Sequence, residues 1–430
     1  MITANGIGIC FGEVRSFEAF KYLHVGMISD IKRKTLPAIA RVAGLDNEQG
    51  LLHFLTVSPW SVKSLREARL KLILQALAGR EIILIIDETG DKKKGDTTDY
   101  VKRQYIGNLG KIEQGIVAVT AYGLVEGMTF PLLFEVYKPR ERLLEKDRYL
   151  TKPEIAATMI RELQAMGFQF KLVLADSLYG ESNCNFLSVL SELKLNFVVA
   201  IRSNHGVWLP QEQKVRHNRW RAYDRIFSDG TKEKRYIQEI IFGQRRQVQY
   251  WQVTSDPETL PKNSTWLIMT LVPGIKYQEV GNLYGLRNWV EYGLKQSKNE
   301  LGWADFRVTA YAQIQKWWEL VMSAYLLVSL HSQVFNNPPN QDINQVPDPI
   351  VKKFREHQWW DNSQGWKNLL NNLRLVMQPF IFFNLIKPWL VVFPISHLSF
   401  GFFTLIAFMN RMRGAIPVTF NSEDFSFSSA

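Results

Sequence analysis

Apolar positions in the first 80 residues recur at helical spacing, and this stretch reads as mostly helical. Ser61 is placed to cap a helix whose amphipathic run ends near Gly79. Within IARVAGLDNEQGLLHFL, the order Ala40, Gly44, Leu51 is compatible with a helix–turn–helix, but a helical packing region is the favoured reading. At residue 81 the pattern changes to strands. EIILIID is a continuous Ile/Leu run of the kind a sheet buries on both faces, closing on Asp87. Residues 115–124 and 128–136 flank Glu126–Gly127 as a predicted hairpin. A helix is predicted over 152–166 with Pro153 in its first turn, where no N–H is needed. A strand over 170–176 then ends on Asp176, a helix covers 181–194, and NFVVAI over 196–201 closes the series.

Residues 202–280 have a different texture: short β-like runs alternate with basic clusters and carry Trp208, Trp220, Trp251 and Trp266. They read as an inserted β-rich subdomain. A helix bearing Glu291 and another over about 310–333 follow, so that 281–333 completes the unit begun at 81–201. Proline and asparagine make 334–348 a linker. The remainder, 349–430, reads as a helical apolar region, with a basic, Trp-rich helix over 349–378 and an apolar stretch over 379–409. Trp389 to Met409 is long enough to cross a bilayer, but Pro388, Pro394 and His397 interrupt it, so a buried helical hairpin is expected and no membrane partner.

The order β-β-β-α-β-α-β, with a hairpin first and crossover helices later, is that of a ribonuclease-H-like α/β fold with a mixed sheet. Length agrees: 430 residues exceed one ordinary core. A hydrophobic content of 46% excludes wholesale disorder, and a net charge of +11 favours a polyanionic partner such as DNA. Cys10 and Cys184 are the only cysteines, which leaves no disulfide framework or zinc cluster and fits a reducing cytoplasm. No secretory leader is read at the N-terminus, and cytoplasmic localisation is expected.

The candidate chemistry lies in a few acids. An ionised carboxylate at the end of a buried strand is costly without a cation or metal, and Asp87 and Asp176 each occupy such a place. The competing readings are a turn residue for Asp87 and a helix cap for Asp176. Tyr284, Arg287, Glu291 and Lys298, at successive offsets of 3, 4 and 7, share one helical stripe about 60° wide. A simple Arg287–Glu291 ion pair would explain two of these four. Glu300, the rival acid, projects about 180° from Glu291. Two strand aspartates and a helix glutamate suit two Mg²⁺ ions and the chemistry of cutting and joining phosphodiesters. In GDKKKGDTT, which begins at Gly90, Asp96 occupies the position where a phosphate loop requires its lysine, so no nucleotide cofactor is expected. Arg219 and Arg221 flank Trp220, and Arg245 and Arg246 precede Trp251; cation and aromatic interleaving suits a nucleic-acid backbone.

Tyr284-x2-Arg287-x3-Glu291-x6-Lys298 resembles the YREK signature of DDE transposases from bacterial insertion sequences, and Asp87 and Asp176 look like the first two acids of that triad. DETGDKKKG, RQYIGNLGK and ADSLYG are similar to its local texts, and the likeness covers about 81–330. It implies that Asp87, Asp176 and Glu291 are the catalytic residues and bind two Mg²⁺ ions, for which Mn²⁺ would substitute. It implies that Tyr284, Arg287 and Lys298, with Lys295 nearby, hold the phosphates of a transposon end. The implied activity is cleavage and strand transfer at terminal inverted repeats on double-stranded DNA, with a homodimer pairing two ends. A nuclease without strand transfer and a domesticated DNA-binding protein are the alternatives.

Overall fold

The computed structural model describes residues 8–206, 217–227, 230–240, 248–332, 353–363 and 365–412. The chain divides into two compact units: residues 73–296 with 308–314, and residues 1–72 with 297–307 and 315–430.

The first unit is built on a ten-stranded sheet in the order β2-β3-β1-β5-β6-β10-β9-β8-β7, with β4 pairing β3 off this path. Strands β1 (Ile82–Lys92), β2 (Lys102–Ile106), β3 (Lys111–Val125) and β4 (Met128–Val136) form antiparallel ladders. Glu126 and Gly127, with φ of 49° and 75°, make the two-residue hairpin turn predicted between β3 and β4. Strand β2, absent from the sequence reading, folds back on the first five residues of β3. Strands β5 (Phe170–Ala175) and β6 (Phe197–Ile201) run parallel to β1 and to each other, respectively, as β-α-β crossovers require.

Helix α5 (Lys152–Ala165) makes the first crossover and starts on a capping box between Thr151 and Glu154, with Pro153 in its opening turn. The second crossover, expected as one helix over 181–194, is three short pieces: α6 (Ser177–Gly180), a π turn over Asn183–Leu187, and α7 (Ser188–Glu192). Gly180 sits against β6 so closely that a Cβ would lie 2.0 Å from the Ala200 carbonyl oxygen.

The β-rich character of 202–280 is present in β7 (Arg221–Ile226), β8 (Lys232–Glu239), β9 (Gln249–Thr254) and β10 (Trp266–Thr270). These strands do not close on themselves as a separate sheet. Strand β10 pairs antiparallel with β6, from Thr270↔Val198 to Leu267↔Ile201, and β9, β8 and β7 extend the same sheet. The physical reason is the open edge of β6, whose unpaired backbone groups a following β-run satisfies.

The second unit is helical. Helices α1 (Val14–Ile28), α2 (Leu36–Ala43) and α3 (Gln49–Thr56) precede α4 (Val62–Leu77), which Ser61 caps by accepting from the Ser64 N–H at 3.2 Å. Helix α2 ends on Gly44 at φ 76°. A side chain there would meet Asn384, whose amide donates to the Val42 carbonyl at 3.0 Å. The end of α2 is therefore occupied by a packing contact. Helix α10 (Tyr311–Leu330) runs mainly in this unit, and its Trp317 and Trp318 are buried with Trp303. Arg69 and Glu319, both fully buried, are paired at 2.5 Å, with Arg66 adding a second contact at 3.3 Å.

Helices α11 (Trp366–Val392) and α12 (Ser396–Met412) form the expected hairpin, but its tip is not buried. Trp389, Val391 and Phe400 are each more than two-thirds exposed. Apolar composition indicates that a surface wants cover, not that the same chain supplies it. Among the described residues, α11 is the one helix long and apolar enough to cross a membrane. The predicted linker 334–348 lies outside the described residues.

Candidate active site

Register places the first two acids. Ile85 of β1 is paired with Leu174 of β5 in the parallel ladder, and Asp87 and Asp176 each follow two residues later. Because side chains alternate along a strand, both aspartates emerge side by side on one face. The expected end of the strand at Asp87 is not observed: β1 runs five residues further, to Lys92, because β3 pairs with it as far as Lys92↔Gly115. Asp87 is thus an interior strand residue, 8% exposed, with Thr89 and Asp91 buried on the same face. Asp176 stands where β5 gives way to α6 and accepts the Leu178 N–H at 2.9 Å. Its capping and its place beside Asp87 coexist.

One Asp87 oxygen accepts the N–H of Glu88 at 2.9 Å, and the other accepts Arg287 Nη1 at 3.0 Å. Arg287 Nη2 donates to Glu291 Oε1 at 2.8 Å. A single guanidinium therefore bridges the strand acid and the helix acid. The Asp87 carboxyl is pushed up to about 7, chiefly by burial; Arg287 and the Glu88 N–H work against that rise, while Asp176 and Glu291 add to it. Burial opposes the charge of Arg287, but Asp87, Tyr284, Glu291 and Asp176 outweigh it and raise its pKa.

The stripe bearing these groups is not one uninterrupted helix. Helix α8 (Tyr277–Gly285) ends and α9 (Asn288–Asn299) begins across Leu286–Arg287. There Leu286, Arg287, Trp289 and Val290 each donate their N–H to the carbonyl three residues back. At about three residues per turn, positions i and i+3 eclipse, which sets Tyr284 beside Arg287, to which it is hydrogen-bonded. Tyr284 is half-buried, and burial raises its phenol pKa. Lys298 lies two turns beyond Glu291 on α9 and is half-buried, whereas Lys295 is exposed. The rival Glu300 is held by Lys367 at 2.5 Å and Arg374 at 3.0 Å.

Among the predicted DNA contacts, Arg219 and Arg221 are exposed, Arg221 lying 5.1 Å from the Tyr277 ring centroid. Arg245 and Arg246 lie outside the described residues. Trp251 is buried, as an isolated core tryptophan would be.

Two groups escaped the sequence reading. Lys152, at the start of α5, pairs with Glu88 at 2.5 Å. Tyr179, on α6, is fully buried, and its hydroxyl has no hydrogen-bond partner among the described residues. Burial, followed by the charges of Glu88, Asp87 and Asp176, raises its pKa well above 10, so it stays a neutral donor beside the acids. Its position three residues after Asp176, on the first turn of α6, was the available signal.

The donors gathered here are all carboxylate oxygens, the chemistry that hard divalent cations select. Among the described residues no three acids, histidines or cysteines are arranged to hold a metal ion, and the Arg287 guanidinium is engaged with both Asp87 and Glu291. Positive charge already stands where the acids converge.

Comparison with known proteins identifies the family. A family model described as DDE superfamily endonuclease matches residues 10–254, a span that contains Asp87 and Asp176 and stops before Glu291. The chain is 67% identical over 305 residues to a probable transposase for insertion sequence element IS701 from Microchaete diplosiphon, covering 71% of this chain and 80% of that protein. An in-register aspartate pair, the matched family model and a relative this similar place the chain in the DDE superfamily endonuclease family.

Proposed function

We propose that this protein is the transposase of an insertion sequence, catalysing metal-dependent DNA strand cleavage and strand transfer at the element's terminal inverted repeats. The observation that carries the reading is the aspartate pair on adjacent parallel strands, joined through Arg287 to Glu291, in a chain of the DDE endonuclease family. Asp87, Asp176 and Glu291 would hold two Mg²⁺ ions, with Mn²⁺ as a substitute. When bound, such ions lower the pKa of an attacking hydroxyl and stabilise the leaving oxygen.

The protein's own groups do the rest. Arg287 has to release the carboxylates before they can ligate a metal, and a phosphate of the DNA end offers its guanidinium an equivalent bidentate partner. Arg287 thus exchanges one pair of anionic oxygens for another as DNA arrives. Lys298 acts as a point charge on the same backbone, and Tyr284 holds the Arg287 side chain from the preceding turn. Lys295, Arg219, Arg221, Arg245 and Arg246 extend the contact along the duplex through phosphates, and the salt dependence of binding follows from their number. A homodimer acting in the cytoplasm would bring two ends together.

The test incubates the protein with Mg²⁺ and a DNA fragment carrying the gene's own flanks, mapping strand ends and joined products. Cuts at the repeat boundaries and joined products are expected. Asp87→Asn, Asp176→Asn and Glu291→Gln should each lower cleavage by orders of magnitude while DNA binding survives. Loss of binding in step with cleavage would remove the metal-ligand assignment, and cleavage without joined products would reduce the activity to a nuclease.

A further inference from the structure

The stretch RQYIGNLGK takes no part in the candidate site, yet it builds an exposed edge of the same sheet. β2 and the first five residues of β3 form a two-stranded antiparallel ribbon, from Lys102↔Gly115 to Ile106↔Lys111, closed by a 3₁₀ turn over Gly107–Leu109. β2 stands last in the strand order, so its outer edge is unpaired within the sheet.

Register sorts the side chains of this ribbon. Tyr105 lies opposite Ile112 and Arg103 opposite Gln114, on the side of β3 that continues through Ile116 and Ala118 to Thr120, the partner of Asp87. Tyr105 is 53% exposed and Ile112 57%, and Leu109 at the tip is exposed as well. The other side holds the ribbon in place. Ile106 is fully buried and fills the space left by Gly90 and Gly115, where a Cβ would lie 3.0 Å and 2.8 Å from it.

The charges divide in the same way. Lys92 and Lys111 pair with Glu113 at 2.9 and 3.3 Å, and Lys102 pairs with Glu141 at 2.6 Å. Arg103 and Lys94 are exposed and meet no carboxylate among the described residues. Arg142 donates to the Asp96 and Thr98 carbonyls at 2.6 and 3.2 Å, which ties the loop after Lys94 to the segment following β4.

An apolar pair beside unpaired cations on a sheet edge narrows the choice of partner. Charges on an edge strand oppose pairing with another chain's strand, and the same charges attract a polyanion. The major groove of a DNA duplex admits a two-stranded β-ribbon. The ribbon starts level with Lys92, five residues along β1 from Asp87. That is about 17 Å at ~3.3 Å per residue. A duplex with its cut phosphate at Asp87 advances about five base pairs over this length, at ~3.4 Å each.

We infer that the β2–β3 ribbon is a second DNA-contact surface, entering the groove of the duplex about five base pairs from the cut. Arg103 and Lys94 take phosphates, and the Tyr105–Ile112 pair lies against sugars and base edges. The inference rests on the DNA-cleavage reading above and adds a contact that neither the acids nor the Tyr284–Lys298 stripe supplies.

The full chain carrying the photocrosslinking residue p-benzoylphenylalanine in place of Tyr105 is irradiated on a DNA fragment bearing the gene's own flanks, and the adducts are mapped. Adducts should centre about five base pairs from the cleavage site. Their position inside or outside the repeat boundary assigns the ribbon to the element's end or to its flank. Arg103→Gln/Lys94→Gln should make the plot of log affinity against log salt shallower by about 1.8, at about 0.9 per lost phosphate contact. Tyr105→Ser/Ile112→Ser should weaken binding about tenfold with the salt slope unchanged. Both variants should keep the wild-type circular dichroism, since the altered side chains are exposed. Absence of DNA adducts, adducts to a second protein chain, or wild-type affinity and slope in both variants overturns the inference. Cleavage without ribbon adducts leaves the proposed activity standing and removes this surface. Ribbon adducts in a protein that does not cleave its flanks leave the surface standing and count against the activity.

Discussion

Asp87 gives the sharpest quantitative test, because its burial makes stability depend on pH in a specific window. Its carboxyl is pushed from 3.8 up to about 7 in the folded protein, burial being the main cause. The folded state therefore binds this proton more tightly than the unfolded chain does. Below pH 4 both states are protonated and the group contributes nothing to the difference. As pH rises from about 4 to 7, the unfolded chain releases the proton first, so stability falls, and above about 7 the loss levels off. At about 1.4 kcal/mol per pH unit, the full loss is on the order of 4 kcal/mol.

The perturbation is Asp87→Asn, which removes the titration while keeping the shape. Urea denaturation of both proteins at pH 4, 6 and 8 in EDTA should show the variant gaining on the wild type by a few kcal/mol toward high pH. Adding Mg²⁺ should restore much of the loss in the wild type alone, since a bound cation replaces the missing proton. A difference between the two proteins that stays flat from pH 4 to 8 would refute the argument. It would mean that Arg287 already compensates the buried charge in full.

Two further outcomes follow from buried groups. Glu319→Gln leaves the fully buried Arg69 without its counter-charge and should cost about 3–5 kcal/mol, read by urea denaturation; a loss below 1 kcal/mol would mean that Arg69 finds another acceptor. Tyr179→Phe deletes a buried hydroxyl that has no partner among the described residues, and should leave stability unchanged or raise it by about 1 kcal/mol, measured by thermal unfolding without metal; a clear destabilisation would show that the hydroxyl is satisfied after all.

Much of the sheet was legible because its strands carry their own signature: the Ile/Leu run of β1, the positive-φ turn at Glu126–Gly127, and Pro153 at the start of α5. What was not legible depends on distant partners. DETGDK has no local reason to remain extended, yet β3 holds it in the ladder to Lys92. Likewise, the alternation in 202–280 reveals strands but not that β10 will seek the free edge of β6.

The acids of the candidate site were readable as residue types in order, and the Arg287–Glu291 pair as a spacing. The turn at Leu286–Arg287 was not, because three- and four-residue hydrogen bonds differ by a small winding that side-chain pattern alone does not report. Tyr179 was overlooked because an aromatic after a strand looks like core, and its significance comes only from the charges folded around it. The apolar end was read correctly as a hairpin and incorrectly as buried, since hydrophobicity does not say which molecule provides the cover.

The shared register of β1 and β5 also limits how this chain can change. Asp87 and Asp176 each stand two residues beyond a paired position, so their common face depends on an even count. Inserting or deleting one residue within either strand turns one carboxylate to the opposite side of the sheet, while a change of two preserves the side and moves the group along it. Length variation is thus free in the hairpin turns and in the segments between strands, but quantised inside β1 and β5. Among descendants of such a gene, frame-preserving single-codon indels in these two strands should mark copies that no longer move.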